Sequence, residues 1–341
     1  MKAQLSALPL ILAYSGFIKN KKVEQREIYL PSGTRAFHFF PLGKNPNSLP
    51  GIYIQHGMSV MGIDDPRIID LSINFAHCNF SVILPELNEV KGLLIDPKTI
   101  SHIQNLIFEI PTVKHLYNGE QFGYLSASFS GGMGLIAASR NTARSNLKSM
   151  MLIGSYCDFN DTVKFVFQNY DKDTYGVLVV LYNMFRRLSP DLNNELEHVF
   201  YEAALDNGLR RPEPLAPKLL AKTSKNAQNF FKEFESSESF RKKLGDDILG
   251  VVGDLPTQLS PFYQIKSLKS PVSLLHGADD PVISPLESGK LAQIFEMLDI
   301  TYTFRTSTAL THGDSLPLHS QIFGVPALLE TFGCFIDWLN A

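Results

Sequence analysis

Tyr124-Leu125-Ser126-Ala127-Ser128-Phe129-Ser130-Gly131-Gly132-Met133-Gly134 reads as an apolar strand running straight into Ser-x-Ser-x-Ser-Gly, followed by a helix-like stretch from Leu135 to Ser139. A sharp strand-to-helix turn holds the side chain at its apex in a strained, exposed position. It tolerates only small residues two positions before and two after, because the helix crosses close to the strand. With Ser128 at the apex, those neighbours are Ser126 and Ser130, and Gly131 follows. Ser130 satisfies the same rule through Ser128 and Gly132. Against Ser130 stands Met133, three positions on, where the crossing helix prefers a small side chain; the strand ahead would also have to run through Ser126 and Ser128. The competing reading is a glycine-rich packing turn without chemistry.

A serine hydroxyl is a poor nucleophile at neutral pH, so a catalytic role requires a histidine to take its proton and a carboxylate to orient that histidine. Both occur downstream. Pro271-Val272-Ser273-Leu274-Leu275 reads as a short buried strand and leads into His276-Gly277-Ala278-Asp279-Asp280-Pro281-Val282. Ile300 to Thr306 alternates as a strand does, and the loop after it, Ser307 to Asp314, carries His312. Upstream, the apolar strand Gly51-Ile52-Tyr53-Ile54-Gln55 is followed by His56-Gly57-Met58.

The resulting order is serine, aspartate, histidine, which differs from the chymotrypsin and subtilisin orders. On these four elements the chain resembles the α/β-hydrolase superfamily over residues 23 to 155 and 265 to 341. It departs from the usual pattern at Ser126 and Ser130, where glycines are common. The resemblance implies Ser128 as nucleophile, Asp280 as acid, His312 as base, and the backbone N–H groups of Met58 and Phe129 as an oxyanion hole. Asp280 is preferred to Asp279 because the family places the carboxylate three residues after the glycine and just before Pro-Val. Asp158 stands near the alternative acid position after the preceding strand.

The implied activity is that of a serine hydrolase cleaving a carboxylic ester or related small-molecule acyl substrate through an acyl-enzyme, with no cofactor. Two alternatives share the fold. One is an acyltransferase, in which an alcohol replaces water; the other is a catalytically silent binding module, for which the departures at Ser126 and Ser130 speak. Haloalkane dehalogenation is disfavoured because it uses an aspartate at the elbow, and peptide cleavage has no positive signal.

The rest of the chain predicts an α/β architecture, a mostly parallel eight-stranded sheet with helices on both faces. An antiparallel start is expected at Val23 to Leu30 and Thr34 to Phe40, turning at Pro31-Ser32-Gly33. Further strands at Gly51 to Gln55, Phe80 to Leu84, Gln121 to Ala127, Ser149 to Ile153, Pro271 to Leu275 and Ile300 to Thr306 alternate with helices. Those helices are expected at Pro66 to His77, Thr99 to Glu109, Gly132 to Arg140, Pro285 to Leu298 and Pro326 to Leu339. Asp64 or Asp65 is the expected N-cap of the first of them, with Pro66 at its first position. The rhythm breaks after the sixth strand. Residues 158 to 267 lack strand-like runs and read as a helical cap inserted between two core parts, 1 to 157 and 268 to 341. Within it Phe165, Phe167, Tyr170, Tyr175, Tyr182 and Phe185 either pack the cap or line an apolar substrate pocket.

Composition excludes several classes. At 341 residues, 19% of them charged and with a net charge of −3, the chain has no basic cluster suited to nucleic acid. No run approaches the ~20 apolar residues of a membrane span. Nine histidines occur, and His38, His77, His102, His115, His198 and His319 sit in no motif. His56 reads as a loop-shaping residue of the oxyanion segment, and His276 as merely preceding the acid-bearing turn. Neither an H-E-x-x-H spacing nor a paired cysteine motif suggests a metal. Three widely spaced cysteines, Cys78, Cys157 and Cys334, make a disulfide framework improbable and a reducing, cytoplasmic setting the default. The alternative is export, since Lys2 followed by Leu8 to Ala13 resembles a weak secretion signal. Pro9, the basic Lys19 to Lys22 run and the lack of a small-x-small cleavage site argue instead for docking of this segment on the core. Oligomeric state leaves no trace in the sequence.

Overall fold

A computed structural model of the chain describes residues 2–14, 22–119, 122–140, 147–312 and 322–341. Gln121, Lys19 to Lys21, Gly313, Asp314 and His319, all named above, lie outside the described residues.

Eight strands form one sheet: β1 (Val23–Tyr29), β2 (Arg35–Pro41), β3 (Gly51–Gln55), β4 (Ser81–Pro85), β5 (Phe122–Ala127), β6 (Leu147–Ile153), β7 (Val272–Gly277) and β8 (Tyr302–Ser307). Their spatial order is β1-β2-β4-β3-β5-β6-β7-β8. Only β2 runs antiparallel to its neighbours; from β4 to β8 every pairing is parallel. The expected mostly parallel, eight-stranded sheet is therefore present.

Parallel strands need both faces covered, and the side-chain period of two sorts their residues between the faces. Ile52, Ile54, Val82, Leu125 and Met151 pack on one side with Phe75, Phe332 and Phe335 from helices Pro66–His77 and Val325–Asn340. Tyr53, Ile83, Tyr124 and Leu152 point to the other side, toward helices Lys98–Glu109 and Phe129–Ser139 and the helices that follow β6. The edge strand β1 instead carries Glu24, Arg26 and Glu27 and is largely exposed, which protects an unpaired edge.

Two elements differ from expectation. The helix expected from Gly132 begins at Phe129, because the close approach of helix to strand outweighs the low helix propensity of Gly131 and Gly132. A Cβ at Gly131 would lie 2.8 Å from Ser155 Oγ, and one at Gly132 would enter the Tyr156 ring. The second difference is at the N-terminal end, where Lys2–Tyr14 forms a helix with Pro9 inside it. Burial of Ala7, Leu10, Ile11 and Ala13, chiefly against the Val325–Asn340 helix, offsets the backbone N–H that Pro9 lacks.

Between β6 and β7 lie eight helices, from Phe159–Gln168 to Pro261–Gln264. Phe167, Phe185, Phe200 and Phe234 are fully buried there, and Phe185 meets Phe200 edge-on at 5.4 Å. Most cap aromatics thus pack this region onto itself and onto the core. Its entrance is held by buried Glu287, whose Oε2 accepts from the backbone N–H of Cys157 (3.0 Å) and of Asp158 (2.7 Å). No helix among the described residues is long and apolar enough to cross a membrane.

Candidate active site

The C-terminal ends of β5, β7 and β8 converge, and with them the three side chains singled out above. Ser128 follows β5 with φ 59° and ψ −143°, a region that only glycine occupies at low cost. Its N–H donates to the Ile153 carbonyl at 2.8 Å, continuing the ladder to β6. The apex therefore has no freedom to relax. Ser128 Oγ lies 2.7 Å from His312 Nε2, and His312 Nδ1 lies 2.8 Å from Asp280 Oδ2.

Asp280 is buried and multiply held. Its Oδ1 accepts from the N–H groups of Val282 (2.9 Å) and Ile283 (3.0 Å). Burial alone would raise its pKa, but the charge of His312 and hydrogen bonds from His276 and His312 outweigh that and hold the carboxyl well below the usual carboxylate range. An ionised Asp280 fixes the proton of His312 on Nδ1 and leaves Nε2 free to accept from Ser128.

The competing residues sit elsewhere. Ser130 is fully buried in the helix, and its Oγ has no partner among the described residues. Asp279 is exposed. Asp158 caps the Phe159–Gln168 helix, accepting from Asn160 N–H at 2.7 Å and Asp161 N–H at 3.3 Å. Asp65, rather than Asp64, caps the Pro66–His77 helix, while Asp64 pairs with Arg35 at 3.1 Å.

The segment His56-Gly57-Met58 lies against the elbow. A Cβ on Gly57 would be in ordinary contact, at 3.6 Å, with both Ala127 O and Ser128 Cβ. Buried His56 braces the segment, its Nε2 accepting from Leu87 N–H at 3.0 Å while Nδ1 donates to Gly57 O at 2.9 Å. Phe129 N–H heads the elbow helix, where the first N–H groups lack intrahelical acceptors.

Two features carry no motif. His276 is fully buried between Ser288 Oγ (2.6 Å) and the Ile283 carbonyl (2.9 Å), and its Nε2 lies 3.4 Å from Asp280 Oδ2. It shapes the loop that carries the acid. Tyr175, from the helix Tyr175–Leu188, donates from its hydroxyl to the Met58 carbonyl at 3.1 Å, tying that helix to the segment after β3. Burial pushes its phenol up, so it stays a donor. Only its place in an aromatic-rich helix hinted at this.

A cavity of about 470 Å³ opens onto Ser128 and His312 under the cap. Phe129, Phe159, Val163, Val166, Val179 and Val180 form much of its wall, with Arg67, Asp173 and Arg210 at polar positions. Among the described residues no cluster of histidine, cysteine and carboxylate side chains is arranged to hold a metal.

No protein-family model and no curated protein matches the sequence. Solved structures do match. Pyrococcus horikoshii acylaminoacyl peptidase superposes with a TM-score of 0.54 at 15% identity over 95% of this chain, which spans 42% of that longer protein. Brefeldin A esterase, described as a bacterial homologue of human hormone-sensitive lipase, matches with a TM-score of 0.53 at 12% identity, covering 99% of this chain and 86% of the esterase. Esterase B from Lactobacillus rhamnosis gives a TM-score of 0.54 at 12% identity over 99% and 94% of the two chains. Identities this low speak to architecture alone, and the architecture is the α/β-hydrolase fold.

Proposed function

We propose that the protein is a serine hydrolase that cleaves a carboxylic ester, or a related acyl compound, with an apolar acyl group. The observation that carries this reading is the unbroken chain Ser128 Oγ, His312, Asp280, with both contacts at or below 2.8 Å, at the floor of an apolar-walled cavity. A binding module would have no need of a strained serine aimed at a histidine. The esterases of the same fold support the substrate class; the peptidase leaves amides within the chemical range.

In the first half-reaction Ser128 Oγ bonds to the substrate carbonyl carbon while His312 Nε2 takes the hydroxyl proton. Asp280 stays ionised and steadies the imidazolium. The carbonyl oxygen, now an oxyanion, receives the N–H groups of Met58 and Phe129, each worth about 3 kcal/mol of barrier when well aimed. The carbon–oxygen bond to the leaving group then breaks, and His312 returns its proton to the departing alkoxide. In the second half-reaction His312 takes a proton from water as its oxygen bonds to the acyl carbon; the bond from that carbon to Ser128 Oγ then breaks, His312 returns the proton to Oγ, and the acid leaves.

The test is labelling with a fluorophosphonate followed by peptide mapping of wild type, Ser128→Ala and Ser130→Ala, alongside a panel of esters. A single adduct that Ser128→Ala abolishes and Ser130→Ala retains, with ester turnover, is the expected result. A folded protein that takes no adduct refutes the reading.

A further inference from the structure

A second chamber, of about 190 Å³, reaches the same serine from the opposite side. It lies on the face of the sheet away from the cap. Leu10 and Ile11 of the N-terminal helix, Leu71 of the Pro66–His77 helix, Leu310 of the histidine loop, and Leu328 and Phe332 of the C-terminal helix make up its apolar wall. Ser128 and His312 stand on its border, together with the polar groups of His56, Ser59, Asp65, Arg67 and Thr311. We propose that this groove binds the hydrocarbon part of the leaving alcohol, so that the N-terminal helix is one wall of the substrate site.

The assignment rests on the hydrolase reading above and on which atoms each chamber meets. Met58, Ser128 and His312 border both chambers, whereas Phe129 borders only the cavity under the cap. With the oxyanion held between Met58 and Phe129, the cap side is left for the acyl chain. The leaving oxygen must face His312 Nε2 to receive its proton, and Leu310, two residues before His312, borders the groove but not the cap cavity. The cap cavity is also the larger of the two; Asp173 and Asp279 border it, Asp65 borders the groove, and Arg67 borders both. Tyr14, which is 37% exposed, also borders the groove.

The experiment uses two series of esters with the whole 341-residue chain: acetates of alcohols from methanol to hexanol, and methyl esters of acids from acetate to octanoate. Wild-type kcat/KM is expected to rise along the alcohol series, by up to about fourfold per methylene buried. Ile11→Trp, which fills the groove, is expected to lower the ratio of kcat/KM for hexyl acetate over methyl octanoate by tenfold or more. Val180→Trp, which fills the cap cavity, is expected to raise that ratio. Leu71→Trp fills the groove from the opposite wall, and its ratio decides if Ile11→Trp fails to fold by thermal unfolding. A flat wild-type alcohol series, or a groove variant that leaves the ratio unaltered, overturns the assignment while the hydrolase reading stands. Absence of hydrolysis in both series together with no fluorophosphonate adduct on Ser128 overturns the hydrolase reading itself, and the groove assignment with it.

Discussion

Ser128 holds a backbone conformation that costs stability and gains position. At φ 59° and ψ −143° a side chain carries on the order of 1 kcal/mol of strain or more. Ser128→Gly is therefore expected to stabilise the fold by about 1 kcal/mol in urea unfolding while abolishing any covalent labelling. Asp280→Asn removes the charge that holds the His312 proton on Nδ1. It is expected to lower kcat by about 10⁴-fold with little change in KM, read from steady-state kinetics on whichever ester the panel identifies. Ser128 and His312 were legible in sequence because an apex serine needs small neighbours and the histidine needs the loop after the last strand. His276 was not, because a histidine buried between Ser288 and the acid loop has no local pattern.

Two contacts between elements carry more weight than their lengths suggest. In the C-terminal helix, Gly333 lies against the Ala3 carbonyl of the N-terminal helix, and a Cβ there has no space. Gly333→Ala is expected to lift the N-terminal helix away, seen as faster proteolysis within residues 2 to 14 and faster amide exchange, with the sheet left intact. Glu287 joins the helix Pro285–Met297 to the start of the cap through two backbone N–H groups. Glu287→Ala leaves both donors buried without a partner and is expected to cost about 3 kcal/mol in equilibrium unfolding. Strand and helix boundaries were read to within a few residues from period and turn residues. The docking of the N-terminal helix was expected, but its helical form was not, since Pro9 and a weak periodicity conceal it.

The whole molecule should lose stability in mild acid. His38 of β2 is buried beside Ser81 and donates from Nε2 to the Leu116 carbonyl at 3.1 Å. Burial lowers its pKa to about 4, outweighing that hydrogen bond, and the Arg26 charge adds to the shift. Burial shifts His56 in the same direction. The unfolded chain takes up protons near pH 6.5 that the folded chain refuses until about pH 4. Stability contributed by neutral His38 is therefore intact above pH 6.5 and falls as pH drops through that window, by about 3 kcal/mol for a shift of this size. Urea unfolding between pH 7.5 and 4.5 is expected to show this slope, and His38→Gln to flatten it.

What the sequence determined by itself is whatever repeats along the chain or depends on near neighbours. The short apolar runs of β3 to β7, the two-residue alternation leading into β8, the small residues around Ser128, the Asp65-Pro66 helix start and the order serine, aspartate, histidine are all of this kind. The sequence ranks Ser128 above Ser130 and Asp280 above Asp279 and Asp158; tertiary structure shows which of each set faces His312, and it alone shows that Tyr175 reaches Met58. It alone opened a second chamber beneath the N-terminal helix. Those facts depend on side chains far apart in sequence being brought within about 3 Å by the packing of a whole sheet, and no spacing along one chain encodes that distance.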